Sequence, residues 1–202
     1  MVADPSRLTV SFPARLLMTN GLVEYAVVTD YGKTHESLLV TDALPMDVQS
    51  ALLLLRARPS GTNAMARASL PIPPGAGVVP TLHYANPQGL PVSVPFSHLF
   101  ALTSGGARDT VTGALKPGPW LFNGSVMTAE GFGAHFDGSI VALIHDPIAI
   151  LNNPGPDRDD DEVHVPSLRE FPPIGAEVRV ELAVSPTSPS PPPPQAPPPP
   201  RR

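Results

Sequence analysis

The sequence predicts a β-rich α+β domain, with antiparallel or mixed sheets of about eight short strands and one main helix near 45–58. Three observations carry this. Short runs rich in Val, Leu and Phe recur along the chain, separated by Gly, Pro and Asn. Only one segment places its apolar residues at helical spacing. The last eighteen residues, SPTSPSPPPPQAPPPPRR, hold ten prolines and no large apolar side chain. The chain therefore divides into one globular domain, 1–184, and a disordered proline-rich tail, 185–202.

The first run, Leu8 to Met18, is interrupted by Pro13, which cannot donate to a ladder and so suggests an edge strand or a bulge. Leu22 to Thr29 reads as a second strand, joined to the first as a hairpin through the turn at Thr19–Gly21. The turn Asp30–Lys33 has Gly32 available for positive φ, and Glu36 to Thr41 reads as a third strand. Pro45 to Arg58 is the helix. Its proline suits the first turn, Val48, Ala51, Leu52 and Leu55 form the stripe, and Leu53 and Leu54 widen it enough to predict packing on more than one side.

Residues 59–78 read as loop. Val79 to Tyr84 and Leu90 to Phe96 form a hairpin across Asn86-Pro87-Gln88-Gly89, and Ser97 to Ala101 is a strand end or short turn. Ser104 to Gly118 is polar and Gly-rich, hence loop. Trp120 to Val126, Gly131 to Phe136 and Ser139 to Ile144 suggest a meander, with Trp120 and Phe122 on one core face. Asp146 to Asn153 is read as a short helical turn, Asp157–Glu162 as an acidic loop, and Glu177 to Val184, which alternates cleanly, as the last strand.

Composition narrows the function classes. The formal net charge is −5, and removing Arg201 and Arg202 leaves −5 − 2 = −7 on the body, with no Lys/Arg cluster. A nucleic-acid binder needs a basic surface to neutralise phosphates, so that class is disfavoured. With no cysteine the chain has no disulfide, thiolate catalyst, Cys-ligated zinc or iron–sulfur cluster of its own. The N-terminal stretch MVADPSRLTVSF lacks the apolar core of a signal peptide, and no eighteen apolar residues run together, so no membrane-spanning helix is expected.

Two segments concentrate reactive side chains. The first is Lys33, His35, Glu36 and Ser37. His35 and Ser37 share a face of a strand and could form an activated nucleophile, whereas His35 and Glu36 point apart unless they sit in a turn. His35, Glu36 and Ser37 are the best catalytic candidates, without the orienting carboxylate or oxyanion hole that a triad needs. Lys33, His35 and Glu36 are the ligand-binding candidates.

The second segment is the acidic loop, where Asp157, Asp159, Asp160 and Asp161 could ligate calcium or another divalent metal. The EF-hand pattern fails there, and a solvated loop is the plainer reading. His145-Asp146 is a weaker metal-ligand pair, and Asn123-Gly124-Ser125 matches the N-glycosylation pattern. The proline-rich tail is either inert or a ligand for a protein partner.

These residues also carry a resemblance. GLVEYAVVTDYGKTHESLLVTDALPMDVQSALLLL, WLFNGSVMTAEGFGAHFDGSIVALIHDPIAILNN and DRDDDEVHVPSLREFPPIGAEVRVEL look like the YdjY-domain family of bacterial proteins, notably of planctomycetes. The resemblance spans most of 8–184, and Gly32, Lys33, His35, Glu36 and Ser37 are its most specific part. It implies an envelope-associated, periplasmic or extracytoplasmic protein without a defined reaction; the missing signal keeps a cytoplasmic relative as the alternative. Some relatives join the domain to cysteine-rich ferredoxin-like segments, an arrangement that this cysteine-free chain does not share. The function expected is a non-catalytic binding or structural domain. The alternatives are a metal-dependent hydrolase built from His35 and Glu36 with His145, Asp146 or the acidic loop, and a calcium-stabilised interaction module.

Overall fold

A computed structural model describes residues 1–61 and 72–185. Among them are fifteen strands, and eight close into a barrel. Around the barrel run β2 (Thr9–Leu16), β15 (Glu177–Val184), β5 (Gly77–Ala85), β9 (Trp120–Phe122), β13 (Leu151–Asn152), β12 (Ser139–Ala142), β3 (Tyr25–Thr29) and β4 (Ser37–Thr41). Pairing of Arg15 with Val40 and Leu16 with Leu39 joins β4 back to β2 and removes the open edge. Two further strands lie against this wall: β1 (Val2–Asp4) on β2, and β6 (Pro91–Pro95) on β5.

Three strands, β7 (Phe100–Thr103), β8 (Val111–Ala114) and β14 (His164–Pro166), form a separate sheet. A small ribbon of β10 (Met127–Thr128) and β11 (Gly131–Phe132) leads into the short helix α2 (Gly133–Asp137).

The β-rich class, the mixed sheet and the last strand follow the sequence; the closure and several pairings do not. The first two strands are not a hairpin. β2 pairs instead with β15 over seven positions, from Glu177–Arg15 to Ala183–Thr9, because that long alternating partner offers more ladder than β3 can. β3 pairs in parallel with β4, Tyr25 opposite Ser37, and antiparallel with β12.

Pro13 is neither on an edge nor in a bulge. Its ring falls between the stretch of β2 that meets β1 (Thr9 to Ser11) and the stretch that meets β4 (Arg15 and Leu16). Its carbonyl accepts the Thr41 hydroxyl at 2.6 Å, so the missing N–H interrupts no ladder. Pro80 uses the same device in β5, between the residues that meet β9 and those that meet β6.

The helix α1 (Pro45–Leu54) is four residues shorter than expected and packs on one side only. Val48, Ala51 and Leu52 are buried, whereas Leu53 and Leu54 face solvent. It stops in a Schellman motif: Ala57 N–H reaches the Leu52 carbonyl and Arg56 N–H the Leu53 carbonyl, both at 3.0 Å. The left-handed residue is Arg56 (φ 68) rather than a glycine, which hides the stop from the sequence.

Part of the expected loop 104–118 is β8, an edge strand held by backbone pairing with β7 and therefore without a side-chain period. Residues 146–153 form bends leading into β13 rather than a helical turn. Gly131–Phe136 contributes β11 and most of α2, not a strand of the expected meander. Much of the expected 59–78 loop, and nearly all of the proline-rich tail, lies outside the described residues.

Among the described residues, one large hydrophobic cluster fills the barrel and its outer packing, beside two small ones around Tyr25 and Leu121. Val10, Phe12, Ala14 and Leu16 of β2 alternate into it, as do Val178, Val180, Leu182 and Val184 of β15. Trp120 and Phe122 are core, as expected, and Trp120 meets Phe96 edge to face at 6.1 Å.

Candidate functional site

The two reactive segments lie far apart in sequence, and the barrel brings them to one end. Val23 N–H donates to the His164 carbonyl at 3.0 Å, and the next residue, Glu24, donates to the Glu36 carbonyl at 2.9 Å. Adjacent residues at the entry to β3 thus hold the turn 33–36 on one side and the strand that leaves the acidic loop on the other. The Glu24 carbonyl in turn accepts Leu143 N–H at the end of β12, at 2.8 Å.

His35 and Glu36 sit in a single 3₁₀ turn, Thr34–Glu36, not on a strand. That satisfies the one condition under which neighbours can share a site: His35 Nε2 lies 3.4 Å from Glu36 Oε2, with the imidazole largely exposed. Ser37 is separated from both. It is fully buried at the start of β4, and its hydroxyl donates to the Lys33 carbonyl at 2.6 Å.

Lys33 turns inward. Its Nζ lies 2.5 Å from Asp137 Oδ2 and 3.3 Å from Ser139 Oγ, and stands 4.9 Å from the centre of the Tyr25 ring. Gly32 is favoured here by close packing rather than by positive φ. A Cβ on it would lie 3.1 Å from Val28 Cβ and 3.3 Å from the carbonyl of Gly138, the left-handed residue (φ 81) that ends α2.

Glu24 joins the two segments electrostatically. Partial burial raises its carboxyl above the ordinary value, and the nearby carboxylates of Glu36 and Asp161 raise it further, against smaller opposing effects of His35 and Lys33. Beside it lies a shallow cleft of about 300 Å³, lined by Ile144, His145, Arg158, Asp159 and Asp161.

The four acidic-loop aspartates do not face one another. Asp157 turns into the protein, where Asn153 Nδ2 donates to its Oδ2 at 2.6 Å and His164 Nε2 lies 2.8 Å from the same oxygen. Burial alone would raise the Asp157 carboxyl, but these hydrogen bonds outweigh it and hold the value below the usual range. Asp159 lies 4.0 Å from Arg158, and Asp160 accepts the Glu162 N–H at 3.0 Å. Among the described residues, no three His, Asp or Glu side chains are grouped as a metal ion requires.

His145 and Asp146 also separate. His145 is exposed at the cleft, whereas Asp146 is buried, accepting the Tyr25 hydroxyl at 3.1 Å and the Ile148 N–H at 2.8 Å. Burial pushes the Tyr25 hydroxyl up, and the Asp146 charge adds to the shift.

Asp146 belongs to a buried polar network that the sequence reading missed. Asn152 accepts the Asp146 N–H at 2.9 Å and donates to the Asp146 carbonyl at 2.9 Å and to Asn123 Oδ1 at 2.8 Å. Asn123 then donates to the carbonyls of Pro147 and Ala149. The glycosylation reading of Asn123 falls with this, since its side chain is buried and fully engaged. The available signal was that Asn123 and Asn152 each interrupt an apolar run, WLFN and IAILN.

Compared with models of known families, with curated proteins and with solved structures, the chain matches none. No helix among the described residues is long and apolar enough to cross a membrane.

Proposed function

We propose that this is a bacterial envelope-associated binding domain that works without catalysis, and that the barrel end bearing Lys33, His35 and Glu36 is its ligand-binding end. The supporting observation is the double tether at Val23 and Glu24, which gathers the 33–36 turn and the segment leaving the acidic loop around one half-buried carboxylate. The non-catalytic reading is supported by the fate of the strongest nucleophile candidate. Ser37 is buried and spends its proton on a backbone carbonyl, while His35 pairs with Glu36. The envelope setting rests on the resemblance of Gly32–Ser37 and the flanking segments to the YdjY domain.

The test is a titration of ¹⁵N-labelled protein with three envelope fractions: peptidoglycan fragments, anionic lipid vesicles and soluble envelope polypeptides. One fraction should shift the amide signals of residues 24, 33–36 and 161, and the His35→Ala/Glu36→Gln variant should lose the response. If no fraction moves those signals, the reading is wrong. Calcium added to the same protein separates a calcium-stabilised module, whose melting temperature would rise, from a domain indifferent to the ion.

A further inference from the structure

A second concave surface lies at a different place, between the β5–β6 hairpin and the segment preceding β15. It is a groove of about 210 Å³ lined by Tyr84, Pro87, Val92, Arg169, Phe171 and Pro172, with Asn86 and Glu170 at its margin. Tyr84, Val92 and Phe171 are half-buried and pack onto the core. Tyr84 donates its hydroxyl to the Glu170 carbonyl at 3.2 Å, which ties the two walls together. Arg169 Nη1 reaches the His98 carbonyl at 3.5 Å, but Arg169 Nε is buried without an acceptor.

We infer that this groove is a docking site for the proline-rich segment 186–202 of the same chain. Aromatic and prolyl walls suit prolyl rings, and a polyproline-II strand presents backbone carbonyls that have no internal partner. Arg169 lines the groove with a donor-bearing side chain, and Glu170 supplies a carboxylate for the terminal Arg201 and Arg202.

The reach is sufficient. Ser185 N–H is fixed to the Gly77 carbonyl at 2.9 Å, at one end of β5, and Tyr84 stands near the other end. The strand path from Val78 to Tyr84 is about 20 Å at ~3.3 Å per residue. A polyproline-II strand of seventeen residues, the length of 186–202, would span about 53 Å at ~3.1 Å per residue. Both ends of the groove lie within that span.

Because the chain has no cysteine, Gln195→Cys gives a unique site for a spin label in the full-length protein. The label should broaden the amide signals of residues 84–92 and 169–172 while leaving β3 and β12 sharp. Arg169→Gln and Tyr84→Ser should each abolish the broadening, with the β3 and β12 signals unmoved as the check on folding. Broadening that is absent, or spread evenly over the surface, overturns the inference. So does broadening that survives both substitutions. A mixture of ¹⁵N-labelled protein without the spin label and spin-labelled protein without ¹⁵N should show none; broadening there would mean that the segment comes from a second copy and not from the same chain.

Discussion

The two halves of the barrel are built on different principles. β2, β15 and β5 are long antiparallel strands of eight or nine residues whose inward positions alternate with outward ones. β3, β4, β12 and β13 have two to five residues and are buried on both faces, and two of their pairings are parallel. Each parallel pair is linked by a short crossover, 30–36 or 143–150, too short to hold a covering helix.

These crossovers are pinned by side chains instead: Lys33 and Ser37 in the first, Asp146, Asn152 and Asn123 in the second. Both halves are thus held by apolar burial and backbone pairing, and the short-strand half adds side-chain hydrogen bonds, to backbone and to one another. The candidate site sits on the second half because that is where polar side chains are already gathered.

The sharpest way to break this contrast is to substitute one residue in each half. Phe12→Ala in β2 should cost about 4 kcal/mol through lost burial and the cavity left behind. Asn152→Ala should cost nearly as much, about 3 kcal/mol, although it removes little apolar surface, because it leaves Asp146 backbone groups and the Asn123 side chain unpaired. Urea unfolding at neutral pH measures both. An Asn152→Ala cost under about 1 kcal/mol would show that the short half, like the long one, needs only burial and backbone pairing.

A smaller effect should appear with pH. The Asp157 carboxyl is held below its unfolded value, about 3.9. Its ionised form therefore stabilises the fold above that value, and the contribution is lost as pH falls through the folded one. Asp157→Asn should weaken the protein at pH 7, and the gap to the parent should narrow as pH drops below about 4. Chemical unfolding at pH 7, 5 and 3 reads this, and a gap that stays constant would leave the His164–Asp157–Asn153 contact without energetic weight.

The smallest expected change is a gain. Arg56→Gly relieves a left-handed arginine at the end of α1 and should stabilise by roughly 0.5–1 kcal/mol, seen as a higher melting temperature. No gain would mean that the arginine side chain compensates for its backbone.

The contrast also explains what could be read from the residues. Glu177 to Val184 and the Val79–Phe96 hairpin were legible because a long strand covered on one face alternates in sequence. β3 was read as alternating, with Val23, Tyr25 and Val27 on one face, and β4 as a short strand; both are buried on both faces, so neither pattern carries the partner or the direction. The first hairpin failed for the same reason, since a turn signal at Asn20-Gly21 says that the chain bends and not which strand it will join.

At the site, Lys33, His35 and Glu36 stood out by chemistry. Glu24 did not, because its importance comes from partial burial and from Glu36 and Asp161 beside it, which only the fold supplies. His164 was one scattered histidine until the fold buried it against Asp157.

By itself, the sequence determined the β-rich class, the helix start at Pro45, the strong turns and the proline-rich composition of the tail. All of these are local: they depend on residues within a few positions of one another. The tertiary structure alone decided the barrel closure through Arg15–Val40, the parallel pairings and the meeting of the 33–36 turn with the segment leaving the acidic loop at Val23–Glu24. Backbone hydrogen bonds between distant strands make those choices, and a backbone N–H or carbonyl is the same at nearly every position of the chain.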